Sequence, residues 1–332
     1  MKVAFFEIEN WERDYVGRLL GDFNISFFED PLSRRNISLV KDCQILSVFI
    51  DSQITKEILD SLPHLQMITT RSTGFDHIDL KECKKRNIIV CTVPHYGENT
   101  VAEHTFALML DLSRKVYDSI ERVKHEGFSI KGLTGFDLKG KTLGVVGMGH
   151  IGQHVARIAQ GFEMQVLGYD KKRDKDLAKK IGFTYVTLDN LLKQSDIITL
   201  HLPYNEKTHH LLNSKNMSMI KKGAYLINTA RGGIIETDAL INALADGILA
   251  GAGLDVLEEE NAIKEEKQLL SGEFAKTHNM KTLLENHMLM EKNNVVITPH
   301  NAFNSKEALE RILNTTIANI NAFVTKKYIN YV

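Results

Sequence analysis

An arginine, a histidine and a short acidic run each follow an apolar, strand-like segment in the second half of this sequence. They are Arg231, His300 and the three glutamates at 258–260. Because α/β proteins bind ligands at the carboxyl ends of their parallel strands, we expect these side chains to share one edge of a sheet. At the edge of a nucleotide-binding sheet such a set suits hydride transfer. Taken singly, each residue is more often structural or at the surface, so the interpretation depends on their joint occurrence.

A glycine-rich turn supplies the nucleotide-binding signal. The apolar segment 142–147 leads into Gly-Met-Gly-His-Ile-Gly at 147–152, and apolar residues at helical spacing follow. In such a turn the first glycine permits a tight bend, the second lets the backbone approach a pyrophosphate, and the third lets helix and strand pack closely. The start of the helix adds unpaired N–H groups for the phosphates. The motif alone is weak evidence, but its flanking strand and helix predict a dinucleotide site.

An acidic residue bears on the choice between NAD and NADP. Asp170 ends the next predicted strand, 18 residues after Gly152. A carboxylate there accepts hydrogen bonds from the adenosine ribose and repels the additional phosphate of NADP. The basic residues at 171–173 could soften that exclusion. NAD is therefore the predicted cofactor.

Strand-like and helical patterns alternate along most of the chain, which predicts βαβ units and doubly wound parallel sheets. Several strand-like runs are apolar throughout, as parallel strands buried on both faces are. The predicted strands are 2–6, 44–50, 66–71, 88–93, 142–147, 165–170, 197–202, 224–229, 252–256 and 295–298. Ten strands are too many for one compact sheet in this chain. We therefore expect two α/β domains with a cleft between them.

The domain boundary is predicted near Pro94, where a strand gives way to turn-forming residues. Residues 1–97 and 303–332 are expected to form one domain and residues 98–302 the other. Thr100 and Glu103 match a capping box, which would begin a helix running to about Tyr117. That helix is apolar nearly all round, so we expect it to be buried between domains or subunits. A homodimer is the plausible consequence.

Composition narrows the class of protein. The chain has 332 residues, 43% hydrophobic and 25% charged, with a formal net charge of −1. Such a composition is typical of a soluble globular protein, and it offers no basic surplus for nucleic acid or an anionic membrane. The three cysteines have no metal or redox spacing, which favours a reducing, cytoplasmic setting. His209 and His210 are adjacent and are interpreted as structural, so no metal is expected. A polar stretch around 261–292 is interpreted as a surface insertion.

Three further segments resemble the D-isomer-specific 2-hydroxyacid dehydrogenase family. They are Ala-Tyr-Leu-Ile-Asn-Thr-Ala-Arg-Gly-Gly at 224–233, Gly-Leu-Asp-Val-Leu-Glu-Glu-Glu at 253–260 and Val-Ile-Thr-Pro-His at 296–300. With the glycine motif they occur in the family's order. Tyr-Gly-Glu-Asn-Thr-Val-Ala-Glu at 96–103 and His-Asn-Ala-Phe at 300–303 resemble its D-lactate dehydrogenase branch. The resemblance implies a Rossmann NAD-binding domain and a flavodoxin-like substrate domain.

The resemblance also implies roles for the residues named above. Arg231 would bind the substrate carboxylate and polarise the 2-oxo group, because its planar fork matches a carboxylate and keeps its charge. His300 would be the general acid in reduction and the general base in oxidation. Glu260 would pair with His300 and orient its ring. Glu258 and Glu259 are adjacent alternatives, although the motif offset favours Glu260.

Further contacts follow from the same resemblance. Cofactor contacts are expected from Val101, Gly147, Gly149, His150, Ile151, Gly152, Asp170, His201, Leu202, Pro203, Thr208, Thr229, Ala230, Arg231 and Asp255. Asp255 would hold the nicotinamide carboxamide. Substrate contacts are expected from Ser72, Thr73, Gly74, Tyr96, Arg231 and Phe303.

The resemblance implies reduction of pyruvate to D-lactate with NADH. Reduction of hydroxypyruvate, glyoxylate or 2-oxoisocaproate is the alternative within the family. The alternative to an enzyme is a non-catalytic, NAD-sensing protein of the corepressor type.

Overall fold

The structure, a computed structural model, describes residues 1–260, 263 and 279–332. Within these residues the chain divides into two compact units. Met1–Tyr96 together with Ser305–Val332 form the first unit, and Gly97–Asn304 form the second. No helix in the described part of the chain is long and apolar enough to cross a lipid bilayer.

Each unit contains one parallel sheet. The strands of the first unit are β1 (Lys2–Phe5), β2 (Asn24–Phe27), β3 (Ile45–Val48), β4 (Met67–Thr70) and β5 (Ile89–Cys91), in the order β2-β1-β3-β4-β5. Those of the second are β6 (Thr142–Val146), β7 (Gln165–Tyr169), β8 (Thr184–Tyr185), β9 (Ile197–Leu200), β10 (Ala224–Asn228), β11 (Leu249–Leu254) and β12 (Val295–Ile297), in the order β12-β11-β10-β9-β6-β7-β8. These are the flavodoxin-like and Rossmann strand orders. The predicted fold class, two doubly wound α/β domains, is confirmed.

The helices connect the strands in the usual βαβ manner. They are α1 (Asn10–Leu19), α2 (Lys56–Asp60), α3 (Leu80–Lys85), α4 (Glu98–Arg114), α5 (Val116–His125), α6 (His150–Gly161), α7 (Lys175–Ile181), α8 (Leu188–Gln194), α9 (Thr237–Ala245), α10 (Met280–Met290) and α11 (Lys306–Val324). Short 3₁₀ turns lie at Ile37–Val40, Met217–Met219 and Gly232–Ile234.

Both sheets are covered on both faces, which explains their continuous apolar strands. Successive side chains of a strand point to opposite faces. In the first unit Ile45 and Leu46 belong to separate hydrophobic clusters, and so do Val145 and Val146 in the second. Each sheet therefore has two cores, and its edges carry the exposed polar residues.

All ten predicted strands are present, but β2 and β8 were not predicted. The residues of β2 are alternately exposed and half-buried at the edge of the first sheet, and its sequence Asn-Ile-Ser-Phe is short and mixed in polarity. Only two residues form β8, at the other sheet's edge. Edge strands bury less surface, so their sequences carry a weaker apolar signal.

The predicted capping box before α4 is wrong. The helix begins at Glu98 with Gly97 at the N-cap position, and Thr100 is already inside it with its side chain buried. The helix ends at Arg114, and Lys115 then takes a left-handed conformation, φ 52°, before α5 starts.

Part of the apolar surface of α4 packs within the second unit. Phe106, Leu108 and Met109 belong to the core of the second unit itself, together with Val145 of the central strand. Phe106 also stacks on Phe162, just after α6, with ring centroids 5.3 Å apart. Contacts with the sheet and with α6 of its own unit bury these residues, and burial of the helix between domains or subunits stays a prediction.

The predicted insertion at 261–292 is described only in part, because residues 261–262 and 264–278 lie outside the described part of the chain. From Met280 to Met290 it forms α10, which contacts α9. Leu283, Asn286 and Leu289 are buried on its inner face, while Leu284 and Met288 are exposed.

Candidate active site

Most of the residues predicted to do chemistry lie at the carboxyl ends of the strands of the second sheet, which we call its carboxyl edge. Because the strands are parallel, the residues that follow their carboxyl ends lie along the same edge. Gly147 follows β6, Asp170 follows β7, the segment 201–203 follows β9, the segment 229–231 follows β10, Asp255 follows β11 and His300 follows β12. The edge includes the place between β6 and β9 where the chain reverses its direction of winding, which is where doubly wound sheets bind nucleotides.

The three glycines of the 147–152 turn have different surroundings. Gly147 has φ +101°, and a Cβ there would lie 2.4 Å from the carbonyl oxygen of His201. A Cβ on Gly152 would lie 2.0 Å from the carbonyl oxygen of Gly147. Both positions therefore exclude a side chain. Around Gly149, which caps α6, a Cβ would meet no atom of the described residues within 4 Å. The turn thus has open space at the glycine expected to face a pyrophosphate, while His150 and Ile151 begin the helix.

Asp170 is fixed by the backbone around it. Its Oδ2 accepts a hydrogen bond from the Met148 N–H at 2.9 Å, and its Oδ1 accepts one from the Lys172 N–H at 3.0 Å. The first bond ties the end of β7 to the glycine turn. The carboxylate is therefore held beside the turn, where a bound ribose would meet it.

The loop after β9 contains a histidine with one ring nitrogen unpaired. His201 Nε2 lies 2.9 Å from Thr199 Oγ1, whereas its buried Nδ1 has no hydrogen-bond partner among the described residues. Burial lowers the pKa of His201 to about 3, so the ring is neutral. Pro203 accepts a hydrogen bond from Thr208 Oγ1 at 2.7 Å, which closes the loop. An unpaired buried nitrogen and the open space at Gly149 fit a ligand such as NAD along this edge.

The turn that carries Arg231 is braced by Asn228, the last residue of β10. Asn228 Oδ1 accepts from the Ala230 N–H, and its Nδ2 donates to the Arg231 carbonyl oxygen, each at 3.0 Å. Thr229 Oγ1 lies 3.0 Å from Thr105 Oγ1 on α4. The Arg231 side chain is partly buried, and its Nη1 donates to the Ala230 carbonyl oxygen at 2.7 Å.

A close approach of two backbones follows Arg231. A Cβ on Gly232 would lie 2.0 Å from the carbonyl carbon of Leu257. Only glycine permits this contact, which places the Arg231 turn directly beside the acidic run.

The three glutamates of the acidic run have three different partners. Glu258 Oε1 lies 2.6 Å from His210 Nε2, and Glu259 Oε2 accepts from the Asn279 N–H at 2.8 Å. Glu260 Oε1 lies 2.6 Å from His300 Nδ1. Of the three candidates, Glu260 is the one that contacts His300. The His300 and Glu260 side chains are 22% and 26% exposed, so the pair is shielded from water and still accessible.

The adjacent histidines form part of a different cluster. The rings of His209 and His210 stack with centroids 3.8 Å apart, and Tyr204 Oη lies 2.9 Å from His209 Nδ1. His210 and Glu258 connect this cluster to Thr237 on α9, whose Oγ1 donates to Glu258 Oε2 at 2.7 Å.

Asp255 lies beneath the loop that carries His300. It is 1% exposed and accepts hydrogen bonds from Thr298 Oγ1 at 2.5 Å and from the backbone N–H groups of Asn301 and Ala302 at 2.7 and 2.9 Å. Burial on its own raises the pKa of Asp255, but hydrogen bonds from His104, Thr298 and these two amides outweigh it and lower the pKa. Asp255 is therefore a buried carboxylate that organises the loop.

The predicted substrate residues are divided between the two units. Ser72, Thr73 and Gly74 follow β4 and Tyr96 follows β5, all in the first unit, whereas Phe303 belongs to the second with Arg231. Ser72 Oγ donates to the Gly74 carbonyl oxygen at 2.6 Å, and Thr73 Oγ1 donates to the Val93 carbonyl oxygen at 2.8 Å. Within the described residues, the hydrogen bonds of this loop leave the Thr73 and Gly74 N–H groups unused.

Three residues of this edge escaped the sequence analysis: Asn228, Thr298 and His104. Asn228 had a usable signal, since a buried amide ending an apolar strand needs partners, and turns supply them. Thr298 lay within a quoted motif but had no visible reason to matter. His104 had no signal, because its partners are more than 150 residues away in sequence.

The arrangement supports a limited range of chemistry. With Nδ1 bonded to a carboxylate, the remaining ring nitrogen of His300 is the one that can exchange a proton with a bound ligand. Arg231 follows β10, which is separated from β12 by one strand, and its guanidinium suits a carboxylate. The nucleotide-binding features along the same edge provide for a redox cofactor.

A family model, sequence relatives and solved structures all identify the same family. Residues 106–302 match the NAD-binding domain of D-isomer specific 2-hydroxyacid dehydrogenases. A 2-hydroxyacid dehydrogenase homolog from Haemophilus influenzae is 34% identical over 324 residues, covering 96% of this chain and 95% of that protein. A glyoxylate reductase from Korarchaeum cryptofilum is 34% identical, with 97% and 93% covered. The crystal structure of D-lactate dehydrogenase from Aquifex aeolicus, complexed with NAD and lactic acid, aligns with a TM-score of 0.86 at 40% identity, covering 98% of this chain and 96% of that one.

The matched segment contains the glycine turn, Arg231 and the His300–Glu260 pair, and the similarity to relatives extends over both units. This chain belongs to the D-isomer specific 2-hydroxyacid dehydrogenase family and is an NAD-dependent enzyme that reduces 2-oxo acids to D-2-hydroxy acids.

Proposed function

We propose that this enzyme reduces pyruvate to D-lactate, with Arg231 binding the substrate carboxylate and the His300–Glu260 pair handling the proton. The observation that carries the proposal is the 2.6 Å contact between Glu260 Oε1 and His300 Nδ1 at the carboxyl edge of the NAD-binding sheet. A carboxylate at that distance fixes the ring orientation and stabilises the imidazolium.

The geometry of this pair indicates which nitrogen of His300 transfers the proton. Glu260 accepts the Nδ1–H of His300, so Nε2 carries the proton that is transferred. As the 2-oxo group becomes an alkoxide, Nε2 gives it this proton, and the neutral ring remains hydrogen-bonded to Glu260. In the oxidative direction Nε2 takes the proton from the hydroxyl group.

Arg231 acts on the other end of the substrate. Its guanidinium pairs with the carboxylate and stabilises the negative charge that develops on the neighbouring oxygen. Substrate contacts are also proposed for two segments considered separately. In the first unit these are Tyr96 and the loop 72–74, whose unused N–H groups at Thr73 and Gly74 suit carboxylate oxygens, and in the second unit Phe303.

The cofactor supplies the hydride. The protein would hold its pyrophosphate at the 147–152 turn and the start of α6, and its adenosine ribose at Asp170. The remaining contacts would come from Val101, from His201, Leu202, Pro203 and Thr208 after β9, and from Thr229 and Ala230 after β10. Asp255 is assigned to the carboxamide through its Oδ2, which among the described residues accepts only the Ala302 N–H and so keeps one acceptor position.

Pyruvate is the proposed substrate because the Aquifex aeolicus relative, at 40% identity, is a D-lactate dehydrogenase crystallised with lactic acid. The glyoxylate reductase at 34% identity keeps a smaller 2-oxo acid as the alternative.

A substrate panel tests the proposal. NADH consumption by the purified enzyme would be followed with pyruvate, glyoxylate, hydroxypyruvate, phenylpyruvate and 2-oxoisocaproate, beside the variant His300→Asn. We expect the highest kcat/KM with pyruvate and a loss of roughly a thousandfold or more in the variant, with NADH affinity retained. A higher kcat/KM with another acid would overturn the substrate, and a fully active variant would overturn the catalytic assignment.

The proposal includes a homodimer formed through the segment 116–130 of two copies. This segment exposes large apolar side chains at Tyr117 (63%), Ile120 (48%), Val123 (55%), Phe128 (96%) and Ile130 (88%). Monomeric proteins seldom leave so many large apolar side chains of one short segment exposed to water. Sedimentation equilibrium should give twice the mass of the chain, and a monomer mass at micromolar concentration would contradict the dimer.

A cytoplasmic setting completes the proposal. Cys43, Cys83 and Cys91 are free and buried. Burial raises the pKa of the Cys43 thiol to about 12, and those of Cys83 and Cys91 to about 11, so all three remain unreactive thiols. Free thiols suit a reducing compartment, and cell fractionation is the check.

A further inference from the structure

His300 has a backbone conformation that its surroundings must enforce. Its φ is +52°, in the left-handed region that residues with a side chain avoid at a cost of about 1 kcal/mol. Its N–H donates to the Asp255 carbonyl oxygen at 2.8 Å and approaches that of Thr298 at 2.9 Å. The position of its imidazole therefore depends on how firmly the 298–302 loop is held.

The Asp255 side chain holds that loop from below. Through Thr298 Oγ1 and the Asn301 and Ala302 amides, it contacts residues on both sides of His300. A carboxylate that accepts several hydrogen bonds in a buried site is a strong anchor if it is itself fixed.

His104, on helix α4, holds the Asp255 side chain in place. Its Nε2 lies 3.1 Å from Thr298 Oγ1 and 3.4 Å from Asp255 Oδ1. Since the Thr298 hydroxyl donates to Asp255, the Thr298 oxygen is left to accept, and the network therefore assigns the proton of His104 to Nε2. His104 projects from α4, whose neighbouring residues Ala102 and Phe106 are in the core. The helix is thus a rigid support for this contact.

We infer that His104 is a positioning residue for the reaction, holding Asp255 and Thr298 so that the His300 ring meets the substrate. The inference rests on the proposed role of His300. Among the described residues, the side-chain contacts of His104 are with Thr298 and Asp255, and the side chain is 19% exposed. A side chain of similar size without the Nε2–H of His104 should leave the fold intact and the loop less firmly held.

The test compares His104→Leu, which loses the donor, with His104→Gln, whose amide can place an N–H near the Nε2 position. Glu103→Gln, on an exposed position of the same helix, is the matched control. For His104→Leu we expect kcat to fall roughly 10- to 100-fold, because small displacements of a reacting group are costly. The KM for the 2-oxo acid and the dissociation constant of NADH should change by less than about threefold.

Two further readouts separate positioning from stability. The isotope effect on kcat with NADH deuterated at the transferred position should rise in His104→Leu, since the chemical step becomes slower than product release. His104→Gln should recover most of kcat, and all variants should unfold at the same temperature. An unchanged kcat in His104→Leu, or a loss that His104→Gln does not relieve, would overturn the inference.

The failure of this inference is distinguishable from failure of the proposed function. If His300→Asn abolishes turnover while His104→Leu does not alter it, only the role of His104 is wrong. If His300→Asn remains active, the proposed mechanism fails, and a slower His104→Leu then has another cause.

Discussion

Two arginines of this chain follow strands of similar apolar character, yet their surroundings differ. Arg71 follows β4 in the first unit and is 2% exposed. Its guanidinium donates to Ser47 Oγ at 3.2 Å, to the Phe6 carbonyl oxygen at 2.8 Å and to the Glu7 carbonyl oxygen. Arg231 follows β10 in the second unit and is only partly buried.

The carboxylates around the two arginines show the same contrast. Glu7 accepts the Phe49 and Asp51 N–H groups at 2.9 and 2.7 Å and the Ser52 hydroxyl, so it too is committed to the structure of the first unit. Burial raises the pKa of Glu12 there, although the charge of Arg71 opposes the shift. In the second unit, Glu260 is 26% exposed beside His300. A charge that is buried and fully paired organises the fold, whereas a half-exposed pair is available to a ligand.

The largest expected effect is on Arg231. Replacement by Lys keeps the charge but loses the planar fork, so we expect kcat/KM for the 2-oxo acid to fall roughly a hundredfold or more. The free energy of unfolding should change by less than about 0.5 kcal/mol, because the residue is not part of a core. Steady-state kinetics and urea unfolding give the two numbers.

Two results with Arg231→Lys would contradict the difference between Arg231 and Arg71. Near-normal turnover by Arg231→Lys would show that a point charge suffices there, and the carboxylate would have to be bound elsewhere. A large loss of stability would place Arg231 in the same class as Arg71.

The sequence distinguishes these two arginines only by their motifs, since burial is not visible in it. The strand positions and the glycine turn were predictable because apolar runs and glycines follow local rules. The partners of the three glutamates were not, because Glu258, Glu259 and Glu260 are adjacent and differ only in what the fold brings to each of them. His210 and Asn279 are each far from the acidic run in sequence.

Helix α4 shows the same limit of prediction from the sequence. Phe106, Leu108 and Met109 are buried, but their partners in the sheet and on α6 could not be predicted from the periodicity of the helix. The start of the helix was misplaced because Thr100 and Glu103 have the spacing of a capping box, while the chain turns at Gly97 three residues earlier. Local signals give the elements, and the tertiary fold decides which of them meet.

A smaller effect, on stability, is expected from Arg71→Met. The change leaves Ser47 Oγ and the carbonyl oxygens of Phe6 and Glu7 without their donor and removes the cation that faces Glu12. Leaving a buried hydrogen-bonding group without its partner costs about 1–3 kcal/mol, so the urea midpoint should move to lower concentration. Arg86→Met is the control in the same unit. Arg86 pairs with Asp60 and Glu82 near the surface, and such pairs contribute about 0–1 kcal/mol. If Arg71→Met abolished turnover while its unfolding matched that of Arg86→Met, Arg71 would be part of the chemistry, and burial would no longer separate the two arginines.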